Sequence, residues 1–187
     1  MPSVCVFCGS SAGNRPEYSA LARSVGTLLA RQGMTLVYGG GRVGLMGALA
    51  DAALAAGGRV VGVIPRMLLE REVGHEGLTE LHVVGTMSER KVMMGELSQA
   101  FLALPGGIGT MDELFEAWTW TQLDLHDKPC GLLNHEGYYD SLLAFLDHAR
   151  GEGFLRPRHH AALLVGTDAE ELIARLAAAV HTRAAGP

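Results

Sequence analysis

The chain has 187 residues, of which 48% are hydrophobic and 19% are charged. This composition predicts one globular domain over residues 1–183, followed by a short frayed tail at 184–187. The formal net charge of −5 gives no electrostatic reason to expect binding of nucleic acid or of an anionic membrane.

The N-terminal strand, predicted at 4–8, has no signal peptide before it, and no apolar stretch of the chain approaches about 18 residues. Three cysteines, an odd number, argue against a disulfide framework and favour a reducing compartment, so we expect a cytoplasmic protein. Cys5 and Cys8 are three residues apart in this strand and should face opposite sides. Two buried, unreactive thiols are therefore favoured over a redox pair. No histidine or cysteine spacing predicts a metal site.

Short β-branched segments alternate with helical patterns along the whole chain. Strands are predicted at 4–8, 35–38, 59–64, 81–84, 100–104, 130–133 and 163–165. Helices are predicted at 17–32, 44–56, 88–98, 110–125, 138–152 and 168–180. This alternation predicts an α/β fold: a single Rossmann-like, doubly wound parallel sheet with helices on both faces and a ligand site at the carboxyl ends of the strands. The polar segment 66–77 is predicted to be irregular, either a lid over the site or a solvated connection.

The first two loops that follow strands are small and rich in backbone donors. Gly9 and Ser10 lie in the first, and both are candidate ligand-binding residues. The second, at 39–44, carries the Gly-x-Gly-x-x-Gly dinucleotide pattern and includes Gly40. The acid that should end the following strand and hold a ribose hydroxyl is missing, so no nicotinamide cofactor is predicted. Two roles stay open for this loop: it binds a phosphate, or its glycines let the backbone approach another group closely.

The third loop leads into a helix whose first turns contain Arg90 and Lys91. The helix dipole disfavours cations at this end, so a nearby bound anion would explain them. The alternative is an exposed basic pair that bridges to Glu89 or Glu96.

The fourth loop, at 105–109, has proline and three glycines between an apolar strand and a helix predicted to begin at Thr110. Such loops recur at phosphate sites, where unpaired N–H groups of a helix start point at the anion. Glu113 would be repelled by a phosphate and is expected to face an uncharged or cation-forming part of the ligand. The alternative is that Thr110 and Glu113 form only a capping box.

The helix predicted at 110–125 has apolar residues on more than one stripe. Two explanations stay open: part of this surface packs against a second subunit, or the helix is enclosed within its own domain.

With these loops in order, the chain resembles the Lonely Guy family of cytokinin-activating phosphoribohydrolases. The segments that carry the resemblance are 8–11, 38–41, 89–91 and 105–113. The resemblance implies a Rossmann-like homodimer, without a cofactor, that hydrolyses the N-glycosidic bond of N6-modified adenosine monophosphates or of AMP itself. The family's catalytic residues fall on Arg90 and Glu113. Its substrate-binding positions fall on Glu72, Lys91, Gly107, Ile108, Gly109, Thr110 and Thr119. Ser88 departs from the plant relatives, which usually carry histidine there. The departure bears on which nucleobase the substrate carries and leaves the expected catalytic residues in place.

Two other functions compete with this one. The first is a non-catalytic nucleotide-binding or carrier protein of the same fold. The second is a pyridoxal-dependent decarboxylase, whose chemistry needs a lysine Schiff base. The chain has only two lysines, Lys91 and Lys128, and neither lies in such a setting.

Overall fold

Seven parallel strands form one sheet in a computed structural model that describes residues 2–72 and 74–184. The strands are β1 Ser3–Phe7, β2 Thr35–Tyr38, β3 Val60–Pro65, β4 Glu80–Val84, β5 Ala100–Ala103, β6 Cys130–Leu133 and β7 Leu163–Gly166. Their order is β4-β3-β2-β1-β5-β6-β7, and every neighbouring pair is parallel. The predicted doubly wound α/β fold is confirmed.

Helices connect the strands and cover the sheet. They are α1 Pro16–Arg31, α2 Gly44–Ala55, α3 Arg66–Glu72, α4 Met87–Glu96, α5 Ile108–Gln122, α6 Asp140–Gly151, α7 Pro157–Ala161 and α8 Ala169–Ala184. Two of these, α3 and α7, were not predicted. The sequence of α3 is only seven residues long, so its periodicity is too weak to separate a helix from a loop. The irregular segment predicted at 66–77 is therefore wrong for its first seven residues.

The core lies in two layers, one on each face of the sheet. Cys8 packs in the layer beneath α1, α2 and α8, whereas Cys5 packs in the opposite layer beneath α4, α5 and α6. The predicted burial of the two thiols on opposite faces is confirmed, because alternate side chains of a strand point to opposite sides. On the first face α1 and α2 touch closely, since a Cβ added at Gly26 would lie 2.2 Å from the carbonyl oxygen of Leu49.

One side of helix α5 packs against its own chain. Leu114 and Trp118 are buried, and the indole Nε1 of Trp118 donates to the carbonyl oxygen of His159, 3.0 Å away in α7. Enclosure within the domain accounts for these two side chains, whereas Met111, Phe115 and Trp120 are only partly buried. Leu123, just after the helix, remains 58% exposed.

No helix in the described part of the chain has both the length and the apolar character needed to cross a membrane. Among the side chains that the structure describes, no three His, Cys, Asp or Glu residues are grouped to hold a metal ion.

Candidate active site

A cavity of about 310 Å³ lies where β1 and β5 meet at their carboxyl ends. The chain leaves these neighbouring strands toward opposite halves of the sheet, which is where doubly wound folds bind ligands. Its lining comes from five segments of the chain: Cys8, Gly9, Ser10, Ser11, Met46, Leu68, Met87, Arg90, Gly107, Ile108, Gly109, Thr110, Asp112 and Glu113. Both predicted catalytic residues, Arg90 and Glu113, are in this set.

The start of α5 forms one wall of the cavity. The helix begins at Ile108 with Gly107 as its N-cap, and no side chain caps it. The predicted start at Thr110 is therefore wrong by two residues, and so is the capping-box alternative, because Thr110 lies inside the first turn. A glycine N-cap leaves the first N–H groups without a side-chain acceptor and available to an anion.

Gly106 allows this loop to pack against the loop that follows β1. A Cβ at Gly106 would lie 2.1 Å from the hydroxyl oxygen of Thr110 and 3.0 Å from the backbone nitrogen of Gly9. The N–H of Gly9 also donates to the carbonyl oxygen of Pro105 at 3.2 Å. Gly106 therefore serves close packing, whereas a Cβ at Gly107 or Gly109 would have no atom within 4 Å.

Arg90 is buried, with 5% of its surface exposed. Its Nε donates to the carbonyl oxygen of Val63 at 3.0 Å, and its Nη2 donates to that of Gly39 at 2.6 Å. The alternative of an exposed basic pair is therefore wrong for Arg90. The two backbone acceptors fix the plane of the guanidinium while it contributes to the cavity wall.

The N-terminus of α4 is capped independently of Arg90. The side-chain oxygen of Thr86 accepts from the N–H of Glu89 at 3.1 Å, and the carboxylate of Glu89 accepts from the N–H of Gly85 at 2.7 Å. This reciprocal arrangement places a negative charge in the first turn, where the dipole favours it. Arg90 is consequently free to turn inward.

Lys91 points to α5 and lies between two carboxylates. Its Nζ is 3.1 Å from Oδ2 of Asp112 and 3.0 Å from Oε2 of Glu116. Burial alone would lower the pKa of the Lys91 ammonium, but the hydrogen bonds to Glu116 and Asp112, together with the negative charges of these carboxylates, outweigh burial and raise it. Lys91 does not line the cavity of Arg90; it lines a much smaller one beside Glu113 and Trp120.

Glu113 is partly buried on the first turns of α5. Burial raises the pKa of the Cys8 thiol, and the negative charge of Glu113 raises it further. The same two causes, in the same order, raise the pKa of Cys5. Cys8 and Glu113 both line the same cavity.

The other predicted binding residues divide into two groups. Gly9, Ser10 and the whole range 107–110 line the cavity. Gly40, with φ of +75° in the left-handed region, and Thr119, which is exposed farther along α5, do not line it. The side chain of Glu72 lies outside the part of the structure that is described.

Gly44 in the second glycine loop is needed for another close approach. Its φ is +63°, and a Cβ there would lie 2.3 Å from the carbonyl oxygen of Ser10. The dinucleotide-like spacing thus lets the loops after β1 and β2 touch.

A second cavity, of about 420 Å³, lies on the other side of the loops after β1 and β5. It shares Gly9, Ser11 and Gly107 with the first but is otherwise walled by Tyr18 and Tyr138 and by the start of α1. Although it is larger, its lining includes neither Arg90 nor Glu113, so the smaller cavity is the candidate for catalysis.

Known proteins with similar sequences show the family to which the chain belongs. A family model described as "Possible lysine decarboxylase" matches residues 46–176. A cytokinin riboside 5'-monophosphate phosphoribohydrolase of Rhodococcoides fascians is 52% identical over 175 residues, which are 93% of this chain and 88% of the relative. The chain belongs to the Lonely Guy family. Another relative, cytokinin riboside 5'-monophosphate phosphoribohydrolase LOG1 of Arabidopsis thaliana, is 49% identical over 92% of this chain and 81% of its own length.

Solved structures of other proteins have a fold similar to that of this chain. The Moco carrier protein of Chlamydomonas reinhardtii aligns with a TM-score of 0.73 at 22% identity, covering 97% of this chain and 99% of that one. The molybdenum cofactor binding protein of Rippkaea orientalis aligns with a TM-score of 0.72 at 22% identity, covering 95% and 96%. At these identities the likeness concerns the fold alone.

Three apolar cavity residues were missed by sequence reasoning. Met46, Leu68 and Met87 come from α2, α3 and α4 and form an apolar wall in this Lonely Guy protein. Met46 lies two residues after the second glycine loop, so its position near the site could have been predicted from the sequence. The position of Leu68 could not, because the segment that carries it was not recognised as a helix.

Proposed function

We propose that the protein hydrolyses the N-glycosidic bond of adenosine 5′-monophosphates, N6-modified ones and AMP itself, releasing the free base and ribose 5-phosphate. The observation that carries the proposal is that Arg90 and Glu113 share one cavity with the uncapped N-terminus of α5. The names of the relatives at about half identity support the same activity.

The 5′-phosphate is assigned to the start of α5. Gly107, Ile108 and Gly109 present backbone N–H groups there, and Ser10 lies in the facing loop of the same cavity. An anion at this position satisfies donors that have no partner within the helix and interacts favourably with its dipole. Nucleosides that lack the phosphate should accordingly be poor substrates.

The base is assigned to the apolar wall of Met46, Leu68 and Met87. Thioether and aliphatic groups pack well against a flat aromatic ring. With the phosphate at α5 and the base on this wall, the ribose lies between them, beside Glu113 and Arg90.

Cleavage of the glycosidic bond produces a sugar with oxocarbenium character, which a nearby carboxylate stabilises. Glu113 is assigned this role and that of orienting the attacking water and accepting its proton. The oxygen of water ends on the anomeric carbon, while the base leaves with the electron pair of the broken C–N bond and takes up a proton. Arg90, held by two backbone carbonyls, orients the nucleotide and balances its charge.

The remaining binding residues are proposed from the family resemblance. Lys91 would act from the edge of the site, beside Asp112 and Glu116. Glu72, Gly40 and Thr119 complete the set. Thr119 is six residues beyond Glu113, about 9 Å along the helix, so it contacts a nucleotide most readily from the side of a partner subunit.

A homodimer in the cytoplasm is proposed as the working form. Large apolar side chains on α4 and α5 are exposed, among them Val92 at 45% and Ile108 at 91%. Covering such side chains is what a subunit interface does. Three buried free thiols suit a reducing compartment.

A pyridoxal-dependent decarboxylase fits the site poorly. Lys91 is held between two carboxylates, and Lys128 donates to the carbonyl oxygen of Gly95 at 2.7 Å. Among the described residues, neither lysine lines the cavity of Arg90 and Glu113.

Product analysis tests the proposed function. The purified protein is incubated with AMP, isopentenyl-AMP, other nucleoside monophosphates and the matching nucleosides, and released base and ribose 5-phosphate are measured. Equal amounts of base and ribose 5-phosphate, only from the monophosphates, are expected. Binding of AMP with no release of base would instead identify a nucleotide carrier.

A further inference from the structure

The connection between α3 and β4 is tied to the second glycine loop by its backbone. The N–H of His75 donates to the carbonyl oxygen of Gly40 at 3.2 Å, and Gly74 forms an isolated antiparallel bridge with Gly41. The N–H of Gly74 also donates to the carbonyl oxygen of Leu69 in α3 at 3.3 Å. The second glycine loop and α3 are thereby joined through the connection that contains Gly74 and His75.

The side chain of His75 holds this junction from within. It is 9% exposed, unlike most of the connection around it. Its Nε2 lies 2.8 Å from Oδ1 of Asp51 in α2, and its Nδ1 accepts from the N–H of Gly77 at 3.1 Å. One imidazole therefore links α2 to Gly77 of the connection.

The hydrogen bonds define the tautomer of this ring. Because Nδ1 accepts a backbone N–H, it carries no proton, so Nε2 carries the proton and donates to the carboxylate of Asp51. A carboxylate acceptor strengthens such a bond and fixes the orientation of the ring.

The junction adjoins two parts of the active site. Gly39, the residue before Gly40, accepts the hydrogen bond from Nη2 of Arg90. Leu68, the residue before Leu69, lines the cavity. Movement of residues 74–77 would consequently disturb both the anchor of the guanidinium and the wall assigned to the base.

We propose that His75 and Asp51 form a positioning pair, which holds the second glycine loop and α3 in place for Arg90 and Leu68. Neither residue lines the cavity, so neither touches the substrate. The effect of the pair on hydrolysis rests on the proposed function. Its effect on the backbone of the junction does not depend on any activity.

The test compares His75→Ala and Asp51→Ala with a matched control, His82→Ala. His82 also lies beside a carboxylate, with Nε2 2.8 Å from Oε1 of Glu80, although the two groups are not aligned as a hydrogen bond. Its partner is in its own strand β4, so the control removes a histidine–carboxylate contact that does not reach the glycine loop. Amide hydrogen exchange at residues 75 and 77, the affinity for AMP, and kcat and KM are measured for each variant.

The expected result is faster exchange at residues 75 and 77 in both positioning variants, with kcat/KM for AMP reduced by about 10- to 100-fold, the scale of a misplaced catalytic group. The control should match the wild type. His75→Asn, whose amide oxygen can take the place of Nδ1, should recover part of the exchange protection at residue 77. The side chain of Asp51 is 71% exposed, so Asp51→Ala keeps the test decisive if His75→Ala does not fold.

Unchanged exchange in Asp51→Ala, or a kcat/KM within about twofold of the wild type, would overturn the positioning pair. If the wild type released no base, the proposed function would fail, and exchange together with AMP affinity would still decide the present inference. Equal losses in His82→Ala would also overturn it, since the effect would then not be specific to the glycine loop.

Discussion

Nη2 of Arg90 donates to the carbonyl oxygen of Gly39 across a distance of 2.6 Å, although the two residues are 51 positions apart in the chain. The contact is possible because β2 and β3 are paired with Tyr38 opposite Gly62, which brings Gly39 and Val63 side by side at the ends of their strands. Arg90 reaches both from α4. The guanidinium of Arg90 is thus held in the cavity wall by two backbone carbonyl groups. Electrostatic catalysis requires charged groups that are fixed in position in this way before the reaction.

The assignment of Glu113 and Arg90 predicts that both are essential for hydrolysis. Glu113→Gln and Arg90→Ala should fold but lose AMP hydrolysis by about 10² or more, the scale for removing a transition-state electrostatic partner. Arg90→Lys should also lose most activity, because a single ammonium cannot reproduce the planar donors that reach Val63 and Gly39. Release of adenine is the measurement, and near-normal release by Glu113→Gln would refute the mechanism.

The apolar wall predicts a loss of affinity for the base but not for the sugar phosphate. Leu68→Ala should raise KM for AMP about tenfold, which corresponds to about 1.4 kcal/mol of lost apolar contact. Inhibition by ribose 5-phosphate should be unchanged. Met67→Ala is the control, because Met67 is next in sequence but 59% exposed and does not line the cavity. Equal KM changes in both variants would contradict the assignment.

The ion pairs of Lys91 predict a pH-dependent contribution to stability. The folded-state pKa of Lys91 is raised above its ordinary value of 10.5, so its stabilisation is fully present below about that pH and is lost as the pH rises through the folded value. Lys91→Met should lower the free energy of unfolding by about 1 kcal/mol between about pH 6 and 9. Denaturant unfolding should show the difference shrinking as the pH rises above the ordinary value of 10.5. A difference that grows with alkaline pH would exclude this explanation.

Gly106 should tolerate no side chain. Gly106→Ala places a Cβ within 2.1 Å of the Thr110 hydroxyl and should destabilise the fold by about 1–3 kcal/mol. Gly151→Ala provides the comparison, since a Cβ at the end of α6 would meet open space and should stabilise the helix by about 0.5–1 kcal/mol. Thermal unfolding measures both. If the two variants had the same Tm, close packing would not be the reason for glycine at 106.

The cysteines should be inert in the native state. Burial raises the pKa of both Cys5 and Cys8, with a further increase from the charge of Glu113, so little reactive thiolate forms near neutral pH. Ellman's reagent at about pH 8 should label none of the three buried cysteines before unfolding and all of them afterwards. Rapid labelling of Cys5 or Cys8 in the native protein would show that β1 and the loop after it open.

Local signals in the chain predicted most of the framework. The strands at Thr35–Tyr38 and Cys130–Leu133 begin and end where the sequence predicts, because short, mostly apolar runs bounded by turn residues are typical of buried parallel strands. The start of α5 was misplaced, since Thr110 and Glu113 have capping-box spacing whether or not the helix begins there. The strand–helix alternation then required the glycine loops after β1, β2 and β5 to meet at one edge.

The sequence by itself therefore determined the fold class, the edge of the sheet that carries the site and the residue types available there. The tertiary structure decided which way each of them points. Arg90 turns inward because partners 27 and 51 residues away accept its hydrogen bonds, and Lys91, its neighbour, turns to α5 because two carboxylates lie there. The helix α3 and the contact between His75 and Asp51 depend equally on distant segments. Periodicity reports local preference, whereas the direction of a side chain depends on acceptors and apolar surfaces that the completed sheet brings within reach.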